Sequence, residues 1–201
     1  METSAVEDLM REHGLLNRLL LIYEECISRI SSVDRKIIYY TATIIQQFVE
    51  NYHEKTEEKY VFPLLKKVQV DVDLVDELLK QHELGRVITN KILGLASSPS
   101  GGYENELVEQ IQLYVKMYRY HESREDTVVF QDFKKSLSVE EYKKLGELFE
   151  KEEDEILGPN GYEIYLDMVI TLEKKLGIYD LANITKYIEK STTVIEIADT
   201  A

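Results

Sequence analysis

The stretch HEKTEEKYVF, residues 53–62, decides how the chain is read, because a near copy, HESREDTVVF, stands at residues 121–130. Both open on histidine and place a glutamate four residues later, at Glu57 and Glu125. The two motifs lie 68 residues apart (121 − 53, 125 − 57), and His13 and His82 lie 69 apart (82 − 13). Flanking residues agree: Arg11-Glu12-His13, with Arg18 beyond it, parallels Lys80-Gln81-His82, with Arg86 beyond it. Each half of the chain thus brings one lone histidine and one His-x-x-x-Glu, as two similar helical hairpins would. The chain has four histidines, and all of them fall in the repeat.

The surrounding sequence reads almost wholly as helix, with only three prolines and nine glycines. A first helix is expected over residues 4–30, with Leu9, Leu16, Leu20 and Ile27 on one stripe. Asp34 caps a second, which should give way at Phe62-Pro63 because proline disfavours helix in the residue before it. A third helix covers residues 73–95, a loop follows at 97–102, and a fourth helix covers 104–130. Ser138 and Glu141 have the spacing of a capping box and open a helix to Leu157. Gly158-Pro159-Asn160-Gly161 is a stop, residues 162–176 read as helix again, and the tail from Ser191 shows no pattern. The expected fold is all-α: an up-down-up-down four-helix bundle over residues 1–157, with additional C-terminal helices and a tail over 158–201.

Helical geometry makes the repeated spacing useful. Residues i and i+4 project from one face about a turn apart, and here that face points inward. Ala42 and Val49 share it with His53, Tyr114 and Met117 with His121, and Val75, Leu78 and Leu93 surround His82. Burying an unpaired carboxylate costs several kcal/mol, so six such polar groups in one core call for a compensating charge. A metal pair supplies it. Imidazole and carboxylate without thiolate suit iron, manganese or zinc better than copper(I) or an iron–sulfur cluster. Two equivalent half-sites imply two ions that share both carboxylates, with positions left for water, an oxo or hydroxo bridge, or a small substrate.

Composition limits the alternatives. A length of 201 residues fits one domain with an appendage. A net charge of −14 argues against a nucleic-acid partner, which would need clustered Lys and Arg. No apolar run approaches the roughly 20 residues of a membrane span. Cys26 is the only cysteine, which excludes an internal disulfide and suggests a reducing compartment. The absence of a basic, apolar leader at residues 1–8 completes a cytoplasmic reading.

The conjunction of His13, His53 with Glu57, His82, and His121 with Glu125 resembles the hemerythrin-like (HHE cation-binding) family in its four-histidine form. The resemblance covers about residues 5–157 and includes Glu12-His13-Gly14 and Val61-Phe62-Pro63. It implies a non-haem di-iron centre held by those six residues, acting on a small oxidant: hydrogen peroxide, nitric oxide or dioxygen. A peroxide-decomposing oxidoreductase is one expectation; a non-catalytic iron or oxygen sensor or carrier is the other. Oxygen-carrying relatives place a fifth histidine where this chain has Arg86, which counts against reversible dioxygen transport. Relatives that repair iron–sulfur clusters carry a cysteine-containing N-terminal domain, and this chain opens directly on the bundle. Glu54 and Glu122, each beside a ligand histidine, lie about 100° round the wheel and are expected in solvent, able to swing in as bridges. Tyr114 and Tyr118 are expected to pack in the core or to bond oxygen or serve electron transfer at the site. Gln46 is a candidate to orient a histidine, Arg86 to pair a carboxylate or guard the entrance, and Cys26 to pack.

Overall fold

The computed structural model describes residues 4–98 and 104–198, which are helical apart from short connections. Most of the loop expected at 97–102 lies outside them. Helix α1 spans Ala5–Ser28 and starts in a capping box closed by Ser4 and Glu7. Helix α2 runs without a break over residues 35–68 from the Asp34 N-cap. Helix α3 spans Val72–Ser97. Helix α4 runs over residues 104–135. Three further helices follow: α5 (Val139–Leu157), α6 (Gly161–Leu176) and α7 (Leu181–Ala198).

The ring of contacts α1–α2, α2–α3, α3–α4 and α4–α1 makes the four-helix bundle, and its short connections set neighbours antiparallel. Helices α5 and α6 pack against α1 and the side of α2, and α6 also packs on α5. Val169, Leu172 and Leu176 of α6 join the core around Leu16, Leu19, Ile45 and Phe48. A second apolar cluster, including Leu9, Phe62, Leu65, Phe130 and Phe133, fills the other end of the bundle. The buried polar residues of the repeat therefore sit between two apolar plugs. Cys26 is fully buried in the larger cluster, and burial pushes its thiol up to about 12, so it is a packing residue.

Two expectations need correcting. The second helix does not stop at Phe62-Pro63. A π turn at Glu57–Val61, closed by Phe62 N–H donating to the Glu57 carbonyl, loosens the ladder just before the proline that cannot donate. The backbone of the tail is helical through Ala198, whereas the sequence there shows no periodicity. Helix α7 starts on an exposed face, with Leu181 and Tyr187 largely in solvent. Among the described residues no helix is long and apolar enough to cross a membrane.

Candidate metal centre

Each helix of the bundle presents one histidine to its middle, and all four are almost wholly buried. Glu57 and Glu125 stand between them with no exposure at all. Glu57 approaches His53 Nε2 at 3.6 Å with one oxygen and His82 Nε2 at 3.5 Å with the other. Glu125 approaches His121 Nε2 at 3.1 Å and His13 Nε2 at 3.4 Å in the same divided way. Each carboxylate therefore reaches from one histidine pair to the other. The rings of His13 and His53 are 4.7 Å apart, and those of His82 and His121 are 4.9 Å apart. Donor atoms of Glu57, His82, His121 and Glu125 lie within 4.8 Å of one another, as do those of His13, His53 and Glu57. All six residues singled out from the sequence meet in one place.

The backbone is adjusted at these positions. His53 ends one π-helical stretch, Ile45–His53, and Glu57 begins the next. Glu125 begins the matching stretch on α4, Glu125–Val129, again 68 residues on (125 − 57). Such turns take an additional residue into the helix and recur at functional sites.

With every Nε2 facing inward, each Nδ1 is held from behind. Asp126 takes His13 at 2.8 Å, Glu12 takes His53 at 2.6 Å, Glu58 takes His82 at 3.1 Å, and Gln81 takes His121 at 3.0 Å. Tyr52 donates to the other oxygen of Glu12 at 2.8 Å and fixes it. These acceptors obey the same repeat: Glu12 and Gln81 are 69 apart, Glu58 and Asp126 are 68 apart. They fix the ring planes, so that each Nε2 faces the interior, where a cation can take the place of any proton it carries. Sequence identity alone does not single these acceptors out, because Glu12 differs from Gln81 and Glu58 from Asp126 while their chemistry, an oxygen acceptor, is kept.

Electrostatics divides the carboxylates. Burial and the charge of Glu125 push Glu57 well above the usual carboxylate range. Burial also works on Glu125, but His121 and His13 hold it well below that range. Burial likewise opposes the charged form of Glu58, yet His82, Lys55 and Arg86 bring it to about 2.

Glu54 and Glu122 were expected in solvent, and both are buried. Other helices supply the reason. Arg86 of α3 donates to Glu54 at 2.6 Å and to Glu58 at 2.5 Å, while Tyr118 of α4 donates to the second oxygen of Glu54. Burial still raises Glu54 to about 8 against those two partners. Asn17 of α1 donates to Glu122, which burial also raises to about 8. Glu54, Glu58 and His82 form a third acidic cluster, but the Arg86 guanidinium already serves it. Gln46 does not orient a histidine; its amide donates to Asn90 at 3.2 Å. Tyr114 packs in the core with its ring 4.3 Å from Tyr118.

Gly85 makes room for Tyr118, a close approach between helices that no spacing within one helix reveals. A Cβ at residue 85 would lie 2.2 Å from the Tyr118 hydroxyl. Gly85→Ala should therefore destabilise the fold by about 1–2 kcal/mol, although alanine is the better helix former by about 1 kcal/mol. Urea denaturation checks this, and an unchanged or raised midpoint would contradict the tight fit.

The donor set suits a cation. Four imidazole nitrogens converge on two carboxylates whose oxygens are buried and without hydrogen bonds, and polar groups in that position need a partner. Comparison with known proteins agrees. The sequence model described as Hemerythrin HHE cation binding domain matches residues 4–133. Uncharacterized proteins of Mycobacterium bovis and Mycobacterium tuberculosis are each 40% identical over 189 residues, 90% of this chain and 74% of theirs. No solved structure matches the chain. With that match over most of its length and a buried His/Glu cluster at the centre of its bundle, the chain belongs to the hemerythrin HHE cation-binding family.

Proposed function

We propose that His13 and His53 hold one iron ion and His82 and His121 a second, with Glu57 and Glu125 serving both, in a cytoplasmic protein that reacts with a small oxidant such as hydrogen peroxide. Nitric oxide and dioxygen are of the same size and class. The observation that carries this reading is the pair of buried carboxylates without hydrogen bonds, each flanked by Nε2 atoms from both histidine pairs. When bound, two redox-active ions would supply Lewis acidity and electrons to a small oxidant.

The chain's own residues prepare the place. Glu12, Glu58, Gln81 and Asp126 keep the four imidazoles oriented, so that little reorganisation accompanies binding. Phe62 packs on His82 and Phe130 on His13, which keeps bulk water from that end of the site. Arg86, in the place of the carrier's extra histidine, engages Glu54 and Glu58, so it adds no imidazole to the site.

Metal analysis and absorption spectroscopy of the purified chain test the proposal. About two irons per chain are expected, with near-ultraviolet bands that change on adding hydrogen peroxide. Continued peroxide consumption marks an oxidoreductase, whereas a single stoichiometric change marks a sensor or carrier. Zinc alone, or no metal, from an iron-replete preparation would sink the redox reading.

A further inference from the structure

The second layer around the site repeats with the hairpins, but it is broken at one pair of positions. Four residues after His82 stands Arg86; four residues after His13, in the equivalent position, stands Asn17 (86 − 17 = 69). On the α2–α3 side the Arg86 guanidinium spans Glu54 and Glu58 and closes the outer face with a positive charge. On the α1–α4 side the equivalent carboxylates are Glu122 and Asp126, and the neutral Asn17 donates to one oxygen of Glu122 and to the His13 carbonyl, without bridging to Asp126. The other oxygen, Oε1, is buried with no hydrogen bond, on a residue 3% exposed. Directly outside lies a surface recess of about 360 Å³ lined by Asn17, Leu21, Arg119, Glu122, Ser123 and Asp126. Arg119, also in the lining, is paired with Glu24 of α1. Asp126, on the floor, is the residue that holds His13 Nδ1.

We propose that this recess is the port through which a divalent metal ion enters the centre, with Glu122 as the carboxylate that receives it. The proposal rests on the reading of the six inner residues as metal ligands. A hydrated divalent cation is the occupant that the chemistry favours. The recess offers carboxylate, hydroxyl and amide oxygens, which hold such ions without trapping them as imidazole does. Among the described residues no guanidinium spans Glu122 and Asp126, whereas on the opposite side Arg86 already occupies oxygens of the equivalent pair, Glu54 and Glu58. Asp126, in the lining, holds His13 Nδ1, and the other nitrogen of that ring meets Glu125, so an ion leaving the recess beside Asp126 comes to mixed nitrogen and oxygen donors.

Stopped-flow mixing of chelator-stripped full-length chain with cobalt(II), followed by visible absorption, measures the rate and end point of loading. Glu122→Gln removes the receiving carboxylate. Asn17→Arg, at an exposed position, places at the port the guanidinium that closes the other side. Each should slow loading roughly tenfold while leaving the final cobalt content unchanged. Wild-type rates in either correctly folded variant would overturn the port. A lowered end point in both would also overturn it, placing these residues in the ligand set instead. If the unaltered chain takes up no cobalt, the failure belongs to the metal-centre reading beneath the proposal.

Discussion

Glu57→Ala and Glu125→Ala are each expected to leave a chain that binds metal at least about 100-fold more weakly than the unaltered protein, retaining fewer than about two equivalents after gel filtration. The scale follows from position. Loss of an outer partner to a ligand histidine already costs about 10–100-fold in affinity. Glu57 and Glu125 each face both histidine pairs, so removing either affects both half-sites at once. A gain in melting temperature on adding metal should disappear with the affinity, since ligand binding stabilises only the state that binds. The pH dependence has a defined sign. Burial and Glu125 push Glu57 well above its ordinary range, so metal must displace a proton there, and loading weakens as pH falls. Two full equivalents in both variants would remove these carboxylates from the ligand set.

Arg86→Ala should lower stability by about 3 kcal/mol, or roughly 6–12 °C in melting temperature for a chain of this size. Glu54 is buried, and the guanidinium is its cationic partner. Removing one member of a buried pair leaves the other charge uncompensated, a larger effect than losing the contact itself. The estimate sits at the low end of that range because Arg86 is itself one-quarter exposed and Glu54, raised to about 8, can take up a proton. The sign of the latter effect is checkable. With Arg86 gone, the loss should be greatest at alkaline pH, where Glu54 would have to remain charged. Adding Glu54→Gln to Arg86→Ala should recover part of the loss in a double-mutant cycle. A melting temperature unchanged by Arg86→Ala would show that the pair contributes nothing net.

The bundle and the convergence of its six inner residues were legible because both depend on local spacing. The stripe of Leu9, Leu16 and Leu20, and the four-residue step from His53 to Glu57, are properties of one helix at a time. What escaped reading depends on residues far apart in the chain. Glu54 looks like a solvent residue on its own wheel, and it is buried only because Arg86 and Tyr118 come to it from two other helices. Glu122 is covered in the same way by Asn17. The π turns were invisible for a different reason: a wheel drawn at one fixed angle per residue has no place for an inserted one. The Nδ1 acceptors keep the repeat, Glu12 with Gln81 and Glu58 with Asp126, as a kind of chemistry and not as a residue type.

The two hairpins relate to each other as the subunits of an isologous dimer do: His13 of the first meets Glu125 of the second, and His82 of the second meets Glu57 of the first. In a true dimer every substitution appears twice, so both outer faces would carry asparagine or both would carry arginine. Joining the halves in one polypeptide removes that restriction. Residues 17 and 86 can then diverge while the inner six keep their matched arrangement. The linked chain thereby gains something a symmetric pair cannot have, a front and a back to its centre.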